Sequence, residues 1–462
     1  MSKIIFILSF GFLCLMPIYT NAQLFGNPQS ITVNIDGGSS IFASDIDGDG
    51  DMDVLSASRF DNKLAWYKNT DGQGSFGAQQ IITSDVEHAI SVFAADLDGD
   101  GDADVLSASR DDHTIAWYEN TDGLGDFGPK QIITTNATYT TQVYAADLDS
   151  DGDMDVLSAS GSFAWYENDG TGNFLTHIIE TDVNGIVTAI ASDIDDDGDL
   201  DVLSGAYVSG ASENNKIQWY ENTDGQGNFD DPQTITTIPQ GTNDIETADL
   251  DGDGDLDVLS SSWWGPAVAW YENLDGLGSF GAINVLTSYT NQESIAASDI
   301  DGDGDIDILS SSEFTGNISW YENIDGQGSF GSFQSISGDP VYSSGIFMTD
   351  IDGDSDIDLV SLKYHEIDWL ENNTIILAND FSTSPNFTMY PNPTAGKILI
   401  DLGETFSETT ITAHNILGQL VLNKSFKNSN SLHFNIEGAS GIYLININTP
   451  EGKSATFKVV KQ

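Results

Sequence analysis

Seven times, at intervals of 46 to 56 residues, the chain repeats a nine-residue loop with carboxylates at positions 1, 3, 5, 7 and 9 around a turn residue at position 6. The first copy supplies Asp45, Asp47, Asp49, Asp51 and Asp53, and the second Asp96, Asp98, Asp100, Asp102 and Asp104. The third supplies Asp147, Asp149, Asp151, Asp153 and Asp155, and the fourth Asp193, Asp195, Asp197, Asp199 and Asp201. Then come Asp249, Asp251, Asp253, Asp255 and Asp257; Asp299, Asp301, Asp303, Asp305 and Asp307; and Asp350, Asp352, Asp354, Asp356 and Asp358. Alternating carboxylates on so short a turn can surround a hard cation. Ca²⁺ takes about six to eight oxygens, and the backbone carbonyl of position 7 can complete a shell begun by side chains. The spacing therefore predicts up to seven Ca²⁺ sites. Three copies depart from the pattern: Ser150 replaces a glycine at position 4, Asp196 adds a carboxylate in that slot, and Ser355 replaces the turn glycine. Position 6 calls for a backbone conformation that glycine adopts most easily, so the site at Asp350 fits least well.

The formal charge of −59 would suit a solvated acidic tail, but nine Trp, fifteen Tyr and twenty-three Phe argue for packed cores. The seven loops hold close to half of the 73 acidic residues, and cation coordination is the simplest reason to cluster them so. Nucleic acid is excluded as a partner, because phosphate binding needs a basic face and residues 23–385 contain only seven Lys and Arg. Residues 1–22 read as a secretory signal peptide, with Lys3, an apolar run from Ile4 to Met16, and Thr20-Asn21-Ala22 before the cut. That run is too short for a membrane span, so no transmembrane segment is expected in the mature chain. The single cysteine, Cys14, lies inside it, which leaves metal rather than disulfides to staple an exported fold.

Each acidic loop sits in a unit of about 50 residues, clearest in the second copy: SVFAAD, the loop, DVLSAS, a variable stretch, TIAWYEN, the turn TDGLGDF, then GPKQIIT. Four short β-rich runs per unit predict a four-stranded antiparallel sheet, and seven such units predict an all-β, seven-bladed β-propeller. Trp66, Trp117, Trp165, Trp219, Trp270, Trp320 and Trp369 recur once per unit and read as packing between blades rather than as a ring of sugar-stacking sites. The seventh unit stops at Asn372 without a fourth strand, while residues 24–33, LFGNPQSITV, match GSFGAQQIIT of the first unit, with Phe25 in the place of Phe76. The amino-terminal strand is therefore expected to complete the last blade and close the ring.

Composition changes after Asn373. A linker spans 374–385, and residues 386–462 contain five acidic and six basic residues against the strongly acidic 23–373 region. About seven alternating strands, among them KILIDL from Lys397 and TTITAHNI from Thr409, suit a small Ig-like β-sandwich.

The repeats resemble the FG-GAP and VCBS repeats of integrin α-subunit propellers and of many secreted bacterial proteins. The resemblance is carried by the DxDxDGxxD loops and by the Phe-Gly pairs at Phe76, Phe127, Phe280 and Phe330. It implies that the loop joins the first and second strands of a blade and binds Ca²⁺. In the first copy Asp51 would give its backbone carbonyl and turn its side chain toward water. YPNPTAGKI at Tyr390, NILGQLV at Asn415, ASGIYLI at Ala439 and the terminal KVVKQ resemble the type A carboxy-terminal sorting domain of the Bacteroidetes type IX secretion system. That implies passage across the outer membrane, contact with the type IX machinery, and a surface or secreted location.

No catalytic constellation is present: there is no GxSxG elbow, HExxH helix or phosphate-binding glycine loop, and the six histidines lack ligand spacing. The repeats vary most between their second and third strands, on the face opposite the acidic loops, where Trp263 and Trp264 form an adjacent aromatic pair suited to stacking on a ligand. The expected function is a secreted, calcium-binding propeller that binds a glycan or a surface protein through that face. The alternatives are a polysaccharide lyase or hydrolase with a dispersed site, and a structural surface component.

Overall fold

In the computed structural model, the structure describes residues 24–181, 185–207, 215–238, 240–289, 291–312, 316–336, 343–373, 388–390, 397–415, 420–436, 441–449 and 454–461. The signal-peptide and linker expectations fall outside them, as does most of the insertion after Tyr207. The chain divides into two compact units, one through Thr374 and one from Ile375.

The first unit consists of seven four-stranded antiparallel sheets. In the first, Gly38–Ser44, Asp53–Ser58, Lys63–Tyr67 and Gln80–Thr83 lie side by side in chain order. The burial of each strand follows its sequence. DVLSAS is covered on both faces and buried throughout, KLAWY nearly so, and QIIT forms a partly exposed outer edge.

The innermost strands of successive sheets neighbour one another around a ring, and the first also neighbours the last, Ser343–Thr349. Phe42 meets Phe93 of the second sheet at 4.3 Å between ring centroids and Phe347 of the seventh at 4.9 Å. The ring is closed as the repeat count implied. The seventh sheet takes its fourth strand, Gln29–Thr32, from the amino terminus, paired with Ile367–Leu370. Phe25 bridges Asn372 as Phe76 bridges Asn69. The Gly26 N–H donates to the Glu371 carbonyl at 2.7 Å, as the Gly77 N–H does to Lys68 at 2.8 Å.

Cores form between blades. Trp66, Leu55 and Leu64 of the first blade pack with Val92, Val105 and Tyr118 of the second, and Trp369 of the seventh packs with Tyr67 of the first. All seven repeated tryptophans are buried, as the packing reading required. A Cβ on Gly125 would lie 2.3 Å from the Trp66 ring and one on Gly74 2.0 Å from Trp369, so the second glycine of each DGxG turn makes room for the preceding blade's tryptophan. Each such ring contributes roughly 4 to 6 kcal/mol as an upper bound on area burial.

In the second unit, Lys397–Asn415 pairs with Thr388–Tyr390, Leu420–Asn435 and Gly441–Asn448, and the last of these pairs with Ser454–Lys461. Five strands occur among the described residues rather than about seven, because KILIDL and TTITAHNI belong to one strand. Its register breaks between Asp401 and Phe406, where Gly403 has φ 66°, so the strand bends instead of ending. Ile398 and Ile400 before the bend share one core with Ile411, Ala413, Ile445 and Val459 after it, so this single five-stranded sheet bends around one core rather than forming the two separate sheets expected of a sandwich.

Deleting residues 24–33 removes the outer strand of the seventh blade and exposes the Ile367–Leu370 edge. We expect a lower melting temperature and concentration-dependent association by light scattering; an unchanged, monomeric protein contradicts strand closure.

Candidate metal centres and the variable face

Every acidic loop is built in the same way. The N–H of position 6 donates to the position-1 carboxylate at 2.9–3.1 Å in all seven, from Gly50 to Asp45 in the first and from Ser355 to Asp350 in the last. This bond needs a left-handed turn. Six position-6 glycines have φ of 95–101°, and Ser355 reaches 82°. A Cβ on those six glycines would touch nothing within 4 Å, so conformation and not space selects glycine there, and Ser355 keeps the loop shape with backbone strain.

The position-9 aspartates, Asp53, Asp104, Asp155, Asp201, Asp257, Asp307 and Asp358, are buried at the root of the loops. One carboxylate oxygen accepts the N–H of the asparagine at or just past the end of the third strand, at 2.7–2.9 Å in every blade. In six blades the other accepts the N–H of loop position 2 at 2.9–3.2 Å. Burial nevertheless pushes all seven carboxyls up to about 7, against the two N–H bonds that favour the ionised form.

The same asparagines tie blade to blade, a role that sequence reasoning missed. Asn120 donates from Nδ2 to the Ile46 carbonyl in the preceding blade's loop at 2.8 Å. Asn168, Asn222, Asn273, Asn323 and Asn372 repeat the bond, and Asn69 returns it to Ile351 of the seventh blade, all at 2.8–2.9 Å. The recurrence of Asn after Trp-Tyr-Glu was the available signal.

The carboxylates converge as a hard-cation shell requires. Oxygens of Asp45, Asp47 and Asp53 lie within 4.8 Å of one another, as do those of Asp96, Asp98 and Asp104, and of Asp147, Asp149 and Asp155. In the fourth and fifth loops the grouped residues are Asp193, Asp195 and Asp197, and Asp249, Asp251 and Asp253. Oδ1 of Asp47, Asp98, Asp149 and Asp195 is buried without a hydrogen-bond partner, so a cation in the loop would satisfy it. An all-oxygen donor set suits Ca²⁺ better than a transition metal. In six blades the position-7 side chain is partly exposed, as the resemblance implied. In six blades the carboxylate lies against the first glycine of its own blade's DGxG turn, where a Cβ on Gly72 would come 2.3 Å from Asp51 Oδ1. In the first blade Lys68 Nζ bonds the Asp47 carboxylate and reaches Asp49 Oδ2 at 2.9 Å.

On the opposite face the sequence-selected aromatic pair meets Tyr207. Trp264 lies 5.5 Å from both Tyr207 and Trp263 and is 41% exposed. Trp263 is half-buried and lines a cavity of about 530 Å³ at that end of the channel, together with Arg59, Gln142, Asn243 and Asp244. A second cavity of about 470 Å³ continues inward past Asp244 and Glu246. Glu246 occupies the inner-strand position filled by Phe42, Phe93, Tyr144 and Phe347 in other blades. Burial pushes Glu246 up to about 8 and Asp244 up to about 6. The departure from the repeat was visible in the sequence, but its place inside the channel was not.

A closed ring of four-stranded sheets, each carrying one acidic loop between its first two strands, defines a repeat β-propeller. The chain belongs to the FG-GAP-like repeat family, whose model matches 45–107, 96–158, 206–260, 249–310 and 299–361, together more than half of it. Residues 388–462 match the secretion system C-terminal sorting domain. This domain directs export by type IX secretion to the cell surface or beyond, and makes the chain Bacteroidetes-like. No curated protein is significantly similar in sequence. Among solved structures, BBS1N in complex with ARL6DN, soaked with mercury, superposes with a TM-score of 0.54 at 11% identity over 76% of this chain and 97% of that one. The lead-soaked complex gives 0.53 at 12% over 76% and 96%. The V. cholerae biofilm matrix protein Bap1 gives 0.41 at 13% over 73% and 76%. At such identities the first two show a shared fold alone. Among the described residues no helix is long and apolar enough to cross a membrane.

Two outcomes test this architecture. Asn273→Ala leaves the Ile194 carbonyl buried without its partner and should cost about 1–3 kcal/mol in denaturant unfolding; a neutral effect contradicts the inter-blade role. In chelator, the raised position-9 carboxyls keep protons in the folded state that the unfolded chain loses near pH 4. Folding then binds protons between about pH 4 and about pH 7, so the melting temperature should fall as pH rises through that window and level off above it. A melting temperature that rises or stays flat across the window contradicts the assignment.

Proposed function

We propose that this exported propeller is stabilised by Ca²⁺ in its acidic loops and binds a glycan through the opposite, variable face. The observation that carries the reading is a set of solvent-exposed aromatics in the connections on that face: Phe60, Tyr139, Trp264, Tyr289 and Tyr364. Exposed rings of this kind offer flat apolar surfaces for sugar rings. The nearby cavity adds Asn243, Gln142 and Asp244 as hydrogen-bonding groups. With a formal charge of −59 the protein repels polyanions, so a neutral or amine-bearing glycan fits better than an acidic one. Support for Ca²⁺ comes from the converging carboxylates and from the partnerless position-3 oxygens of Asp98, Asp149 and Asp195.

A polysaccharide-cleaving enzyme is the second reading. It is favoured by Asp244 and Glu246, which line the channel and can hold a proton near neutral pH, as a general acid must. A turnover screen on polysaccharides separates the two.

Glycan-array binding tests the first reading. We expect retained neutral or amine-bearing glycans, with Trp264→Ala weakening the best of them at least about tenfold, or about 1.4 kcal/mol, at unchanged melting temperature. Absence of glycan binding, or binding indifferent to Trp264, contradicts it.

A further inference from the structure

The residue before the repeated asparagine is acidic in six blades, as Glu119, Glu167, Glu221, Glu272, Glu322 and Glu371, and is Lys68 in the first. It faces its own blade's acidic loop. Behind burial and the next loop aspartate, the charge of Glu119 is among the causes that push Asp98 up, and Glu322 acts likewise on Asp301. In the third blade Glu167 lines one cavity of about 430 Å³ with Asp149 and Asp151. In the first blade the substitution reverses the charge at this place, and the Lys68 ammonium bonds Asp47 and Asp49 inside the loop.

We propose that Lys68 is the resident cation of the first loop, so that Asp45 to Asp53 close without Ca²⁺ while the loops facing a glutamate need it. The inference rests on the calcium reading of those other loops. An entering Ca²⁺ would have to displace the ammonium from Asp47 and Asp49 and then lie beside it, and the repulsion between the two cations opposes entry. An ammonium supplies three donors, and here it takes two carboxylates as partners.

The location gives the substitution a purpose. The first loop lies in the blade that meets the seventh, where Asn69 bonds the Ile351 carbonyl and the ring is closed. The neighbouring Asp350 loop carries the strained Ser355. A covalent cation on one side of this seam keeps it closed when metal is scarce.

Bound calcium in the desalted full chain, counted by native mass spectrometry and elemental analysis, tests the proposal. We expect one ion fewer than there are acidic loops fit to bind. Asp47→Asn should leave the count unchanged, Asp98→Asn should lower it by one, and Lys68→Glu should raise it by one. Lys68→Met should lower the melting temperature in chelator, with added Ca²⁺ restoring it. Loss of an ion in Asp47→Asn, or no gain in Lys68→Glu when that variant is folded by circular dichroism, overturns the proposal. No calcium in wild type and all variants alike overturns the calcium reading, and this inference with it.

Discussion

The propeller depends on a buried carboxylate that serves two chain segments at once. In each blade the position-9 aspartate accepts the N–H of the asparagine at or just past the end of the third strand, and that asparagine's side chain reaches the loop of the blade before it. A loop, a strand end and a neighbouring blade are thus fixed through one pair of residues. Because the pair recurs seven times and the last bond returns from Asn69 to Ile351, the ring closes through polar contacts as well as through tryptophan packing. Removing these carboxylates from water is costly, and burial pushes them up to about 7; a divalent cation beside them would offset that cost.

Much of this was legible in the sequence because the physics is local and repeated. Loop chemistry, turn glycines and alternating strands each specify their neighbours within a few residues, and the match of LFGNPQSITV to the fourth strand located the closure. Less could be read where meaning depends on distant partners. Asn120 gives no hint in isolation that it bonds Ile46, 74 residues away. Glu246 departs from the repeat, but only the ring shows that it faces the channel opposite aromatic residues. The bend at Gly403 merged two expected strands, since a glycine that ends a strand and one that bends it look alike in sequence.

The two faces divide the work. The loop face is uniform because each blade must satisfy the same aspartate and asparagine, which leaves little freedom to vary. The other face is held only by strand ends and accepts insertions, so Trp264, Tyr289 and Tyr364 can differ from blade to blade at little cost to the scaffold. The second unit, with its own core around Ile400, Ile411 and Ile445, carries the sorting domain.

The central claim, that cation-filled loops and the Asp–Asn lattice form one cooperative unit, is tested most directly by hydrogen–deuterium exchange of the full chain in Ca²⁺ and in chelator. The account predicts that the loop amides and the amides of Asn120, Asn168, Asn222, Asn273 and Asn323 lose protection together on chelation, while the buried DVLSAS-type strands stay protected longer. Loops that exchange identically in both conditions, or that open while the asparagine amides remain protected, would contradict it.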